Sequence, residues 1–125
     1  MDSLWSNKKN AYALTRAKNL NVETFVFNRD QFINSNFVVD NLKEREIDLI
    51  VLAGFLWLVP STLIQNFTII NIHPALLPKY GGKGMYGMKV HEAVVNNQEK
   101  ESGISIHFVN EEYDEGEIIF QVKCP

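Results

Sequence analysis

The chain has 125 residues, 46% hydrophobic and 22% charged, with a formal net charge of -3. That is enough for one domain with a hydrophobic core, too apolar for a disordered chain, and without the basic balance of a nucleic-acid binder. No apolar run approaches the roughly 18 residues needed to span a bilayer, no signal peptide opens the chain, and the single cysteine, Cys124, has no internal disulfide partner, so a soluble chain in a reducing, cytoplasmic setting is expected.

Ser3 to Ser6 is too short to classify, and Asn7 to Asn10 is polar and turn-like. Ala11 to Leu20 reads as a helix with Ala13, Leu14 and Ala17 on one face and Asn21 as a left-handed stop. Val22 to Phe27 is a strand, broken by Asn28-Arg29-Asp30. Ser35 caps a second helix running to about Arg45, with Val38 and Leu42 inward. Asp48 to Ala53 is apolar after its first residue and suits a parallel strand covered on both faces, ended by Gly54. Phe55 to Pro60 is an apolar connection, and Ser61 to Gln65 is a short helix or turn. Thr68 to His73 is the next strand, and Met85 to Asn96 a helix packing Val90, Ala93 and Val94. Gly103 to Val109 alternates as a half-buried strand with Ile104, Ile106 and Phe108 on one face. Asn110 to Gly116 is an acidic turn, and Glu117 to Lys123 a closing strand. Strands alternating with helices, then closing strands, predict an open α/β sheet in a single domain over 1–125.

The organising stretch is Asn71-Ile72-His73-Pro74-Ala75-Leu76-Leu77-Pro78-Lys79-Tyr80. The period of 2 in a strand puts Asn71 and His73 on one face and turns Ile72 back into packing. Pro74 cannot donate a ladder hydrogen bond, so the strand should stop where the polar pair emerges. From spacing alone, a strand-capping histidine beside a hydrogen-bonded asparagine is the plainer reading. Asp114, in the tight loop Glu112 to Gly116, supplies the third group of a chemical one. A carboxylate beside an imidazole favours the imidazolium and fixes its orientation, and an asparagine, an imidazolium and a carboxylate together can stabilise an oxyanion and move a proton.

His107 lies opposite Ile106 and Phe108, where it either lines the same cleft or is a satisfied histidine on the less buried face. His91, beside Val90 and Val94, is read as structural. The three histidines lack metal-ligand spacing, so no metal is expected. Gly81, Gly82, Lys83 and Gly84 do not form a Walker A motif, and no G-x-G-x-x-G occurs. The apolar wall Phe55, Leu56, Trp57, Leu58 and Val59 can be a buried connection or a surface for a flat heterocycle. Cys124 lacks a partner that would activate a thiolate, so no catalytic role is expected for it.

The organising stretch, with Gly103 to Val109 and Tyr113-Asp114-Glu115-Gly116-Glu117-Ile118-Ile119, closely resembles the folate-dependent formyltransferases. Ser6 to Leu14 and Val51 to Phe55 carry the resemblance upstream, so it covers nearly the whole chain. Its best match is to the branch that formylates glycinamide ribonucleotide. The resemblance implies an open, mostly parallel Rossmann-like sheet with flanking helices, and formyl transfer from 10-formyltetrahydrofolate to the amine of glycinamide ribonucleotide. It implies Asn71, His73 and Asp114 as the catalytic trio. Folate would lie along Phe55, Leu56, Trp57, Leu58 and Val59 and against the loop Asn110 to Gly116, including Tyr113, with His107 lining the cleft and Arg29 nearby. Small-molecule substrates are implied, with no nucleic acid and no membrane.

The chain departs from the family pattern at both ends. Ser3 to Ser6 corresponds to the end of the family's second strand, so the first strand, its phosphate-gripping Gly-Ser loop and the C-terminal helix are absent, and an incomplete copy is expected. Related readings are a formyltetrahydrofolate deformylase, a methionyl-tRNA formyltransferase and a non-catalytic folate-binding remnant.

Overall fold

The computed structural model describes residues 1–79, 81, 88–98, 101–110 and 116–124. They belong to two compact units, Met1–Ile47 and Asp48–Pro125.

In the first unit, β1 (Ser3–Ser6) pairs in parallel with β2 (Glu23–Val26), with α1 (Tyr12–Asn19) between them in the chain. Trp5 and Phe25 are register partners and stack with ring centroids 4.4 Å apart. Leu14 and Ala17 are buried on α1, whereas Ala13, expected beside them, is exposed. Asn21 stops the helix at φ 58, as its side chain's tolerance of the left-handed region predicts. Its N–H donates to the Lys18 carbonyl and that of Val22 to the Ala17 carbonyl, which satisfies two of the free helix-end carbonyls.

The predicted break at Asn28-Arg29-Asp30 is instead the start of a helix, α2 (Arg29–Ile33). Asn28 Oδ1 accepts from the Gln31 N–H at 2.8 Å and Gln31 Oε1 from the Asn28 N–H at 2.9 Å, a reciprocal cap that makes one short turn worth forming. Phe32 buries beside Phe27, centroids 5.2 Å apart. The following helix, α3 (Phe37–Glu44), is preceded by Asn36 at the cap position, one residue after the predicted Ser35. Ser35 Oγ donates to the Gln31 carbonyl and accepts from the Phe37 N–H, so its side chain bridges the two helices. Val38 and Leu42 are buried as expected, joined by Val39.

The second unit holds a sheet in the order β3 (Leu49–Ala53), β4 (Thr68–His73), β5 (Ser102–Phe108), β6 (Ile118–Cys124). Between these strands come α4 (Ser61–Asn66) and α5 (Met88–Asn96). The open α/β architecture with helices between strands is the predicted one. The two-stranded sheet is parallel and the four-stranded one mixed: β1–β2 and β3–β4 are parallel, β4–β5 and β5–β6 antiparallel.

Register sorts the four-stranded sheet into two faces. Val51 aligns with Ile70 and Ile70 with Phe108, while Ile72 aligns with Ile106 and Ile106 with Phe120. This apolar face is the open one: Val51 is 53% exposed, Ile72 42% and Phe120 53%. Three expectations are corrected together. The third strand is not covered on both faces, Ile72 does not turn into packing, and Ile104 and Phe108 lie on the exposed side. The other face, with Ile69, Asn71, His73, Ser105 and His107, is the covered one. Chain leaving β4 folds over it, and Ala75 forms a core cluster with Val90 and Val94 of α5.

Candidate active site

The site is built on the carboxyl end of β4. Asn71 and His73 share the covered face, and His73 is only 4% exposed. Antiparallel pairing sets Asn71 opposite His107 and His73 opposite Ser105. Four polar side chains therefore occupy two adjacent rungs of one sheet face, and this is what the alternation of both strands was built to do.

His107 is 2% exposed, so it is a buried group and not the half-buried one expected. Its Nε2 lies 3.3 Å from Asn71 Nδ2 and its Nδ1 2.9 Å from the Phe108 carbonyl oxygen. The register of β5 against β6 slips between Ile106 and His107, so that Ile106 faces Phe120 while His107 faces Ile118. Such a bulge locally re-aims a side chain. Gly116 lies against the same corner, where a Cβ would overlap the Phe108 carbonyl and come within 3.6 Å of His107 Nδ1. Only glycine allows that approach.

Ser105 is fully buried and makes all three bonds open to a hydroxyl. Its Oγ donates to the Ala75 carbonyl at 2.7 Å and accepts from the Leu77 N–H at 3.1 Å and from Gln121 Nε2 at 2.9 Å. Gln121 Nε2 also donates to the Leu77 carbonyl at 3.0 Å. The segment just after His73 is thereby clasped to β5 and β6. Sequence reading missed Ser105 and Gln121; the available signal was that Ser105 shares the parity of His107.

The apolar wall leaves β3 at the same sheet end, since β3 and β4 are parallel and Ala53 aligns with Ile72. Phe55 and Trp57 meet edge to face at 5.9 Å and Val59 is buried, while Leu56 and Leu58 are exposed. Asn110 is exposed two residues beyond β5. Arg29 is exposed at the start of α2 in the first unit. His91 is exposed on α5, so the structural role expected for it is not one of packing. Asp114 and Tyr113 lie outside the described residues, as do Tyr80, Gly82, Lys83 and Gly84. Among the described residues no group of histidine, cysteine, aspartate and glutamate could hold a metal ion, and no helix is long and apolar enough to cross a membrane.

A family model described as formyl transferase matches residues 2–125. The chain belongs to that family. It is 43% identical over 125 residues to the chloroplastic phosphoribosylglycinamide formyltransferase of Arabidopsis thaliana, covering 94% of this chain and 43% of that protein. It is 40% identical over 126 residues to the phosphoribosylglycinamide formyltransferase of Haemophilus influenzae, covering 96% of this chain and 57% of that protein. In three dimensions it is similar to the crystal structure of phosphoribosylglycinamide formyltransferase from Streptococcus pneumoniae TIGR4, with a TM-score of 0.86 and 35% identity over 100% of this chain and 70% of that one. The chain thus spans about half the length of the two curated relatives. The Rossmann-like formyltransferase fold is the one these relatives share with it.

Proposed function

We propose that this chain carries the reaction centre of a phosphoribosylglycinamide formyltransferase of purine biosynthesis, with 10-formyltetrahydrofolate as formyl donor and glycinamide ribonucleotide as acceptor. Residues 2–125 match one family across both units, which supports a single formyltransferase domain. The observation that carries the reading is the placement of Asn71 and His73 together at the carboxyl end of a sheet strand, on its covered face, in a chain of this family. Open α/β sheets bind ligands at that end of their strands.

In this reading the acceptor amine attacks the formyl carbon and negative charge develops on the formyl oxygen. Asn71 Nδ2–H and a ring N–H of His73 donate to that oxygen; donors fixed in a covered site cost no reorganisation as the charge forms. Asp114 orients His73 and helps move the proton lost by the amine to the folate nitrogen that leaves. Phe55, Trp57 and Val59 offer the pterin an apolar wall, with Leu56 and Leu58 as its exposed edge, and Asn110, Tyr113 and Gly116 complete the folate side. The setting is inferred to be cytoplasmic.

The test is tetrahydrofolate release from the 10-formyl donor by the purified chain, with and without glycinamide ribonucleotide. Release that requires the nucleotide and falls at least about 100-fold in His73→Ala is expected, the scale of losing one oxyanion donor. Release without the nucleotide would indicate a deformylase, and folate binding without release a non-catalytic remnant.

A further inference from the structure

The contact between Asn71 and His107 has a polarity that, for a neutral ring, follows from the Phe108 carbonyl. His107 Nδ1 sits 2.9 Å from the Phe108 carbonyl oxygen, which can only accept, so Nδ1 carries the ring proton. In the neutral ring Nε2 then holds a lone pair, and the group 3.3 Å from it must donate. Of the two ways to place the Asn71 carboxamide, only the one with Nδ2 toward His107 satisfies this. The reversed amide would set Oδ1 against the Nε2 lone pair, acceptor against acceptor, on a face where water does not easily relieve the clash.

The carbonyl that sets this polarity is itself held. Phe108 N–H donates to the Glu117 carbonyl at 2.9 Å, and the Gly116 backbone lies against the Phe108 carbonyl too closely to admit a Cβ. The slip in register at Ile106 and His107 turns the ring into place. A chain of fixed parts thus runs from the β5–β6 corner through the imidazole to the carboxamide.

We propose that His107 is a positioning residue: held as its Nδ1–H tautomer by the Phe108 carbonyl, it orients the Asn71 carboxamide so that its NH2 group is the donor end. This rests on the formyl-transfer reading for its catalytic consequence, since an oxyanion requires the N–H end of the amide; the tautomer itself does not depend on that reading. A histidine that only fills the sheet face would keep the same tautomer, since the Phe108 carbonyl sets it, but would show no coupling to Asn71.

Two measurements test it. Long-range nitrogen–proton correlation on the 15N-labelled full chain, with the rings assigned by substituting each histidine in turn, reads the tautomer directly. A protonated Nδ1 and an unprotonated Nε2 at His107 are expected, and an Nε2–H tautomer overturns the proposal. In the nucleotide-dependent assay, His107→Leu should lower kcat about 10- to 100-fold, short of the roughly 100- to 1,000-fold of losing a donor outright, with KM for the folate little changed. His107→Gln, which restores an acceptor, should recover most of the rate, and His107→Leu should cost nothing further in an Asn71→Ala background, because the two residues act as one unit. An unchanged kcat in His107→Leu, or an equal loss in both backgrounds, overturns it. If the unaltered chain shows no nucleotide-dependent release, the formyl-transfer reading fails, and the spectrum still decides the tautomer.

Discussion

Ser105 Oγ donates to the Ala75 carbonyl across 2.7 Å, binding the middle of β5 to the segment that follows His73. Because the same hydroxyl accepts from the Leu77 N–H and from Gln121, one buried oxygen sets the exit path of the strand that carries Asn71 and His73.

Ser105→Ala should therefore both destabilise the chain and disturb the site. The Ala75 carbonyl and the Leu77 N–H would each lose a partner in a buried place, where leaving a group unsatisfied costs about 1–3 kcal/mol. Urea unfolding of the variant should show a midpoint lowered accordingly with an unchanged slope. Ser105→Thr keeps the hydroxyl but adds a methyl at a fully buried position, and should restore the bonds only at a cost of overpacking, about 1–3 kcal/mol.

The two faces of β4 make a paired prediction. Ile69 is buried on the covered face and Ile72 is 42% exposed on the open one. Ile69→Ala should cost about 2–5 kcal/mol, as expected for emptying a core position. Ile72→Ala should cost about 1 kcal/mol, because a side chain already 42% exposed loses less apolar burial. Equal losses in chemical unfolding would mean that the open face is covered in solution.

The first unit carries a pH-dependent clasp. Arg45 meets Asp2 at 2.8 Å and Glu23 at 2.6 Å, and its guanidinium lies 5.0 Å from the centre of the Phe25 ring. The Arg45 hydrogen bond, with a smaller contribution from Ser3, holds the Asp2 carboxyl below the usual carboxylate range, against an upward push from desolvation. Arg45, held above its ordinary value chiefly by Asp2, stays charged throughout. A carboxyl lowered by folding stabilises above its unfolded pKa, about 3.9, and that stability is lost as pH falls through the lower folded value. The difference in unfolding midpoint between the unaltered chain and Asp2→Asn should be constant above about pH 5 and close progressively below the usual carboxylate range. Raised salt should shrink it, since the pair is exposed.

Much of this was readable in the chain. The span Thr68–His73 emerges as β4 with the expected bounds, Asn71 and His73 share a face, and His107 lies opposite Ile106 and Phe108. The left-handed stop at Asn21 and the inward Val38, Leu42, Val90 and Val94 follow from local chemistry. The helix over Arg29–Ile33 was hidden because Asn28, a good turn residue, is an equally good helix cap, and Gln31 decides between them.

What the sequence by itself determined is parity: a pleated strand sends alternate side chains to opposite sides, and that depends on neighbours one and two residues away. Which side is covered depends on where distant chain lies, and the apolar side, Val51, Ile72 and Phe120, is here the open one. Likewise Asn71 and His107 are 36 residues apart and Ser105 and Ala75 are 30 apart. Only the register of β4 against β5, and the fold of the segment after His73 onto that sheet, bring them together. The polar pair at the end of β4 was visible from alternation; the imidazole that aims it and the hydroxyl that anchors its exit were decided by tertiary pairing.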